Sequence, residues 1–325
     1  MQKKLVVMIP AFNEQETIEE VVKGIPKKVI GFSKVEVLVV DDGSTDKTLE
    51  NARKAKADKI VKHVKNKGLG NAFRTGLDNA LRMGADIIVN IDADGQFNPK
   101  DIERLCAPVL EGKADMATCS RFALKEFQPK MPLSKKIGNW LFTKAISVAA
   151  GKKFTDTQCG FRAYSRETAL RMTLFGKFTY TQEVFMDLAN KGFDIVEVPC
   201  KLAREQRKGK SKIVKNWFDY GLKAMLIIAR SLRDYKPLAF FGSIGIIIFA
   251  IGTLAIATAF GNWLFTGETT PFTSLIPAGG AMLVLGFALV MLALIADMLG
   301  RQRKIQEEIL YRLKKQEIEK EEKND

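Results

Sequence analysis

The sequence predicts an α/β fold with a mainly parallel sheet, followed by a hairpin of two transmembrane helices. The sheet is predicted from four apolar runs, at residues 5–9, 35–40, 60–64 and 87–91. They alternate with predicted helices at 14–24, 46–55, 69–83 and 99–110. Continuous apolar strands of this kind are typical of a parallel sheet that helices cover on both faces. The hairpin is predicted from two uncharged runs of 23 residues each, Leu238–Phe260 and Ser274–Ala296.

Composition and motifs exclude several other classes of protein. The chain has 325 residues, of which 46% are hydrophobic, so it is not a disordered chain that lacks a core. Four cysteines without a CxxC pair indicate neither a zinc ribbon nor a disulfide framework, and one histidine excludes a His-rich metal site. A P-loop motif is missing from the sequence, as is a GxGxxG after the first strand, which argues against P-loop NTPases and dinucleotide enzymes.

The two uncharged runs are long enough to cross a bilayer. At a rise of about 1.5 Å per residue each spans about 34 Å, against roughly 30 Å of hydrocarbon. The connection at 261–273 has no Lys or Arg, whereas 223–236 and 301–304 are basic. The positive-inside rule therefore places both flanks, and the soluble part of the chain, on the cytoplasmic side of the membrane. Two buried core helices are the alternative interpretation.

Positive charge is concentrated beside the first apolar run. Residues 201–236 contain 11 Lys or Arg and 3 Asp or Glu, so this stretch carries 11 − 3 = +8 of the total net charge of +14. Its part at 213–236 predicts a juxtamembrane amphipathic helix with cations toward anionic lipid headgroups. A nucleic-acid interface would explain the same charge, but no DNA- or RNA-binding motif accompanies it, so we expect no nucleic-acid partner.

The charged segment at 298–325 follows the second apolar run. Ile305, Ile309 and Leu313 lie four residues apart within it. This spacing is compatible with a short self-associating helix, and hence a homo-oligomer, or with a solvated tail that frays.

Acidic and amide side chains follow three of the predicted strands, at 10–14, 41–42 and 92–94. Ligands of parallel sheets bind beyond the carboxyl ends of the strands, so these segments predict one shared site. Asp92 and Asp94 can share a hard cation with a diphosphate, although a simple turn is the alternative. Asp41 and Asp42 fit turn chemistry and ligand binding equally well. Lys67 precedes a helix start that can approach a phosphate.

Six segments carry a resemblance to a known family. They are Ile9–Glu14, Val40–Asp46, Lys67–Ala72, Asp92–Gln96, Thr157–Arg162 and Arg207–Lys212. The first four resemble inverting glycosyltransferases of family 2, which have the GT-A (Rossmann-like) fold and use nucleotide-diphosphate sugars. The last two resemble the branch that acts on polyprenyl phosphates, the dolichyl-phosphate mannose and glucose synthases and their bacterial relatives.

The resemblance implies a role for each matching residue. The nucleobase and ribose would contact the first two strand ends, at Pro10, Ala11, Asn13, Glu14, Asp41 and Asp42. The rest of the donor would contact Lys67, Asp92 and Ala93. Asp94 and Gln96 would coordinate Mg²⁺ or Mn²⁺. The acceptor phosphate would lie against Arg121, Arg207, Ser211 and Lys212. Asp92, Asp94, Arg121 and Arg207 form the implied catalytic set.

The function expected from this resemblance is inverting, metal-dependent transfer of a hexose or N-acetylhexosamine to a polyprenyl phosphate, dolichyl or undecaprenyl. A UDP-sugar is favoured as the donor, and a GDP-sugar is the alternative. A lipid phosphate has a second pKa of about 6 and needs no general base at neutral pH. One alternative is a membrane-anchored enzyme that elongates a glycan on a sugar hydroxyl, with Glu183 as general base. Another is an inactive nucleotide-sugar binder.

The predicted organisation has five parts. They are a GT-A domain at 1–212, the juxtamembrane helix at 213–236, transmembrane helices at 237–260 and 274–297, and a cytoplasmic tail at 298–325.

Overall fold

The computed structural model describes residues 3–174, 180–204, 226, 229, 233 and 237–324. Most of the predicted juxtamembrane helix at 213–236 lies outside these residues, as do Arg207, Ser211 and Lys212. The chain divides into two compact units. The first comprises Met1–Met225 with Ile309–Asp325, and the second comprises Leu226–Glu308.

The first unit contains a seven-stranded sheet in the order β3-β2-β1-β4-β6-β5-β7. The strands are β1 (Lys3–Ala11), β2 (Phe32–Asp41), β3 (Lys59–Lys62), β4 (Ile87–Asn90), β5 (Met116–Ser120), β6 (Arg162–Ser165) and β7 (Ile195–Pro199). All neighbours pair in parallel except β6, which is antiparallel to both β4 and β5. The mainly parallel sheet is therefore confirmed. The antiparallel β6 was not predicted, because its four residues give no apolar run.

Helices cover both faces of this sheet. Among the described residues before 205 they are α1 (Ile18–Gly24), α2 (Thr48–Lys54), α3 (Leu69–Arg82), α4 (Ile102–Leu110), α5 (Leu133–Ala150), α6 (Arg166–Arg171) and α7 (Thr181–Asn190). Short 3₁₀ turns lie at Pro99–Asp101 and Lys125–Phe127. Successive β1 side chains point to opposite faces. Val7 and Ile9 pack in the cluster with α1 and α4, whereas Val6 and Met8 pack in the cluster with α3 and α7.

The second unit contains the apolar part of two long helices, α8 (Pro237–Thr266) and α9 (Leu275–Asn324). Their most apolar windows have mean hydropathies of 2.3 and 2.5 and are only 17% and 11% buried, which suits lipid-facing helices better than core helices. A Cβ on Gly245 would lie 2.9 Å from the carbonyl oxygen of Gly286, and one on Gly252 would lie 2.8 Å from that of Gly279. Glycines thus allow the close backbone approach typical of helix pairs in membranes.

The last helix does not end with its apolar part. It continues to Asn324, and the segment from Ile309 onward belongs to the first unit. Within it Tyr311 and Ile318 are buried against α3 and α6, while Ile309 and Leu313 stay exposed. The tail is therefore helical and not frayed. The apolar stripe of Ile305, Ile309 and Leu313 is exposed in the single chain, so self-association through it stays a prediction.

Ion pairs join this C-terminal segment to α3 and α6. Arg82 pairs with Glu317 and Glu321, and Lys314 lies 2.6 Å from Asp78. Arg166 lies 2.6 Å from Glu322, and the Tyr311 hydroxyl donates to Glu167 over 3.0 Å. These partners are more than 140 positions apart in the chain, so the local pattern of the tail does not show them.

Candidate functional site

The loop that follows β1 is joined to the loop that follows β2. Asn13 adopts a left-handed backbone conformation with φ 54°, which Asn tolerates better than most residues. Its N–H donates to Ser44 Oγ over 3.0 Å, and its Oδ1 accepts from the N–H of Thr45 over 2.9 Å. The Glu14 N–H donates to Thr48 Oγ1 over 2.8 Å. These contacts hold Asn13 and Glu14 in a loop, although the sequence predicts that a helix begins at Glu14.

The other predicted donor contacts lie at the same edge of the sheet, some buried and some exposed. Pro10 and Ala11 are the last two residues of β1, and both are buried. Asp41 ends β2 and is fully buried, with Oδ1 accepting from the N–H of Ser44 over 3.0 Å. The Lys67 side chain is exposed. The fully buried Asp41 therefore stabilises the turn after β2, while Asn13 and Lys67 are exposed to solvent.

Asp42 is the centre of a buried hydrogen-bond network. Its Oδ1 lies 2.7 Å from His63 Nδ1 and accepts from the N–H of Lys67 over 2.9 Å, and its Oδ2 accepts from the N–H of Gly68 over 2.9 Å. His63 Nε2 lies 3.0 Å from Thr75 Oγ1. The Asp42 carboxylate thereby fixes the loop that begins α3. His63 thereby supports a predicted nucleotide contact.

The third strand end is fastened to the first. Thr17 Oγ1 donates to the Ala93 carbonyl over 2.7 Å, which ties the β1 loop to the segment after β4. Asp92 and Asp94 are both half-buried, and Asp94 Oδ1 accepts from the N–H of Gln96 over 3.1 Å. The structure therefore brings the three strand ends together at one edge, as the sequence predicts. Thr17 is a further residue of this edge that the sequence did not indicate.

The donor set of this edge fits a divalent cation that is shared with a substrate. Among the residues that the structure describes, no group of three or more His, Cys, Asp or Glu side chains forms a cage for a metal ion. Mg²⁺ is usually bound by one or two carboxylates together with substrate phosphates, rather than by an all-protein cage. A half-buried Asp94 beside the amide of Gln96 matches such an open, oxygen-only site and does not match a permanent structural metal.

Arg121, which follows β5, forms a two-point ion pair. Its Nε lies 2.6 Å from Asp156 Oδ2, and its Nη2 lies 3.0 Å from Asp156 Oδ1. Burial acts to lower the pKa of Arg121, but the adjacent Asp156 carboxylate outweighs it and holds that pKa above its usual value. One edge of the guanidinium is thus occupied within the protein, and 17% of the side chain remains exposed.

Glu197 supports the Asp156 side of this pair. Its carboxylate accepts from the N–H of Asp156 over 2.8 Å and from the N–H of Thr155 over 2.9 Å. Burial raises the pKa of Glu197, against the lowering effect of these backbone hydrogen bonds. Asp156 and Glu197 are two further members of the Arg121 region that sequence reasoning missed. Asp156 directly precedes the segment Thr157–Arg162 that carries the resemblance, but Glu197 lies in the middle of β7 and has no such signal.

Two buried tyrosines lie below the segment that carries Asp92. Burial raises the pKa of Tyr164 to about 12. Burial also raises the pKa of Tyr180 well above its usual value, and the Asp92 carboxylate adds to that shift. Both phenols therefore stay neutral at physiological pH. Tyr164 packs in the core, and the Tyr180 hydroxyl also accepts a hydrogen bond from Asn90 Nδ2. Glu183, the alternative general base, lies in the first turn of α7 and is half-buried.

The sequence of this chain is similar to those of several known proteins. Residues 6–171 match the family model described as glycosyl transferase family 2. The UDP-N-acetylglucosamine–dolichyl-phosphate N-acetylglucosaminyltransferase of Methanococcus voltae is 33% identical over 219 residues, which cover 61% of this chain and 85% of that protein. Glycosyltransferase AglJ of Haloferax volcanii is 28% identical over 296 residues, which cover 90% of this chain and 92% of that protein.

A solved structure shares the fold of the first unit. Glucosyl-3-phosphoglycerate synthase of Mycobacterium tuberculosis matches with a TM-score of 0.52 and 22% identity, over 71% of this chain and 80% of that chain. The predicted GT-A fold is thereby confirmed. The family match contains five of the six segments that carry the resemblance, and the sixth, Arg207–Lys212, lies beyond it.

Proposed function

This chain belongs to glycosyltransferase family 2 and is a glycosyltransferase, and on that premise we propose that it transfers a sugar from a nucleotide-diphosphate donor to a polyprenyl phosphate. The observation that carries the proposal is the junction of three strand ends at one edge of the sheet, in a chain that also has two long apolar helices. The M. voltae relative, whose name gives a dolichyl-phosphate acceptor, supports the choice of acceptor.

The donor would lie along the joined strand ends. Asn13 and Glu14, in the loop after β1, and Asp42, after β2, would contact the nucleoside. A UDP-sugar is favoured over a GDP-sugar, since the M. voltae relative is named for UDP-N-acetylglucosamine. A hexose or an N-acetylhexosamine would then lie nearer Asp92, at the end of β4.

Asp94 and Gln96 would hold Mg²⁺ or Mn²⁺. When bound, the ion supplies positive charge to the leaving diphosphate and acts as a Lewis acid. The carboxylate of Asp94 is kept in place by the N–H of Gln96, so its orientation is set before a donor arrives.

The acceptor phosphate would lie near Arg121, which Asp156 orients, and near Arg207, Ser211 and Lys212. An oxygen of the phosphate dianion forms the new bond to the anomeric carbon, and the bond from that carbon to the diphosphate breaks with its electron pair leaving on the nucleotide. Attack from the face opposite the leaving group inverts the configuration. A planar guanidinium fork suits this orienting role, because it matches phosphate oxygens at two points.

The two apolar helices would keep the site at the membrane. Because Lys and Arg flank the helices on the side of both termini, the first unit would lie at the cytoplasmic face. A phosphate on a lipid then arrives at the surface at which the donor binds.

Purified full-length protein tests this proposal when it is supplied with radiolabelled UDP-N-acetylglucosamine, UDP-glucose or GDP-mannose. Each donor is paired with phytanyl phosphate or with a neutral glycolipid, in the presence of Mg²⁺ or Mn²⁺. Label in an acid-labile phospholipid supports the proposal. Label only in the neutral glycolipid would establish elongation on a hydroxyl instead, and donor binding without any transfer would indicate an inactive binder.

A further inference from the structure

Gly160 lies against the carboxylate of Asp92 with no room for a side chain. A Cβ at this position would lie 2.8 Å from Oδ2, 2.9 Å from Oδ1 and 3.1 Å from Cγ of Asp92. Favourable contacts between such atoms need roughly 3.5 Å. Gly160 is not among the glycines with positive φ, so its backbone conformation is one that other residues adopt. The need for glycine therefore comes from Asp92, whose atoms are the three nearest.

The Gly160 peptide is fixed from the interior of the domain. Asn90, fully buried at the end of β4, donates through Nδ2 to the Gly160 carbonyl and to the Tyr180 hydroxyl, each over 2.8 Å. Tyr180 stacks on Phe73 with ring centroids 3.8 Å apart and planes 8° apart. Because Asn90 and Tyr180 are buried and packed, the Gly160 backbone has little freedom to retreat from an added methyl group.

The segment that contains Gly160 is also held on its other side. Arg162 is fully buried, and its Nη2 donates to the carbonyl of Thr157 over 3.3 Å and to that of Thr181 over 2.8 Å. Residues 157–162 are therefore anchored at both ends, so an added Cβ at Gly160 would displace the half-buried Asp92 carboxylate rather than the backbone.

Resting on the proposed function, we propose that Gly160 is a positioning residue that sets where the Asp92 carboxylate meets the donor sugar. The nucleoside contacts at Asn13 and Asp42 lie at the ends of β1 and β2 and have hydrogen-bond networks of their own. Displacement of Asp92 should therefore lower the rate of sugar transfer and leave nucleotide affinity nearly unchanged. A misplacement of about 1 Å in a catalytic constellation can cost about 100-fold in rate.

The test compares wild-type full-length protein with Gly160→Ala and Gly76→Ala. Gly76 is a matched control, because a Cβ there would meet Met8 Sδ at 2.9 Å, which is the flexible end of a buried apolar side chain and not a carboxylate. We expect kcat to fall at least tenfold in Gly160→Ala, with the Kd for UDP within twofold of wild type. Gly76→Ala should retain wild-type turnover.

A second comparison, in an Asp92→Ala background, tests whether Gly160 acts through the Asp92 carboxylate or only stabilises the fold. If Gly160 acts through the Asp92 carboxylate, adding Gly160→Ala to Asp92→Ala should change turnover by less than twofold, and any loss of Tm in Gly160→Ala should be recovered. The inference is overturned if Gly160→Ala turns over at the wild-type rate, or if it lowers turnover equally in both backgrounds. Wild-type protein without transfer to any acceptor would instead refute the proposed function.

Discussion

Arg121 and Asp156 form a parallel two-point ion pair, with 2.6 Å between Nε and Oδ2 and 3.0 Å between Nη2 and Oδ1. Asp156 is fully buried, whereas 17% of the Arg121 side chain is exposed. A buried carboxylate therefore orients a partly exposed guanidinium, whose remaining edge can meet an anion. This geometry supports our proposal that Arg121 contacts the acceptor phosphate.

Arg121→Lys should raise the KM for the acceptor about tenfold and leave the KM for the donor within twofold. Lysine keeps the charge but cannot reproduce the planar fork that Asp156 holds, so the cation loses its fixed direction. Steady-state kinetics with phytanyl phosphate and the preferred donor measure both constants. Arg104→Lys is the control, since Arg104 is largely exposed and has a single ion pair with Asp101. Equal changes in both constants would assign Arg121 to another partner.

His63→Phe should weaken UDP binding about tenfold. The imidazole lies 2.7 Å from Asp42, and a hydrogen bond to a charged group contributes about 1.5–3 kcal/mol. Without it, the Asp42 carboxylate and the loop that it fixes at Lys67 and Gly68 lose one support. Isothermal titration calorimetry measures the Kd. Thr75→Val, which removes only the contact to Nε2, should change the Kd less than threefold; unchanged affinity in His63→Phe would restrict His63 to packing.

Asp94→Asn should lower kcat at least 100-fold without a change in Tm, because it removes the charged ligand of the proposed metal site. Chelation of divalent cations by EDTA should abolish transfer by the wild type, and added Mn²⁺ should restore it. Electron paramagnetic resonance of Mn²⁺ in the presence of UDP provides a readout besides activity, and the bound signal should disappear in the variant. Glu103→Gln, an exposed acidic position, is the control. A retained Mn²⁺ signal in Asp94→Asn would contradict the ligand assignment.

Most of the fold follows from local sequence signals. The apolar runs predict β1, β2, β3 and β4 to within a few residues, because each strand contains an apolar run between recognisable helical segments. The register of these strands then places Asn13, Asp42 and Asp94 at one edge. The predicted start of α1 was four residues too early, because hydrogen bonds in the loops hold residues 14–17 outside the helix.

The missed features are all pairings between distant parts of the chain. His63 meets Asp42 across 21 positions, and Asp156 meets Arg121 across 35. Gly160 lies beside Asp92 because β6, the strand that follows Gly160, is placed between β4 and β5 in the sheet. A single sequence gives no local signal for such contacts, because each partner alone resembles an ordinary turn or surface residue.

Ile318→Ala should release the C-terminal segment from the first unit. Ile318 is 2% exposed, and loss of a buried isoleucine side chain costs about 2–5 kcal/mol, with the lower end expected for a helix docked at a surface. Hydrogen–deuterium exchange of 309–322 in the full-length protein should therefore accelerate strongly. Ile309→Ala is the matched control on the same helix, since Ile309 is 53% exposed and should exchange as in the wild type. High salt should accelerate exchange further, because it screens the pairs of Arg82 with Glu317 and Glu321. Unchanged protection in Ile318→Ala would mean that the ion pairs alone hold the segment.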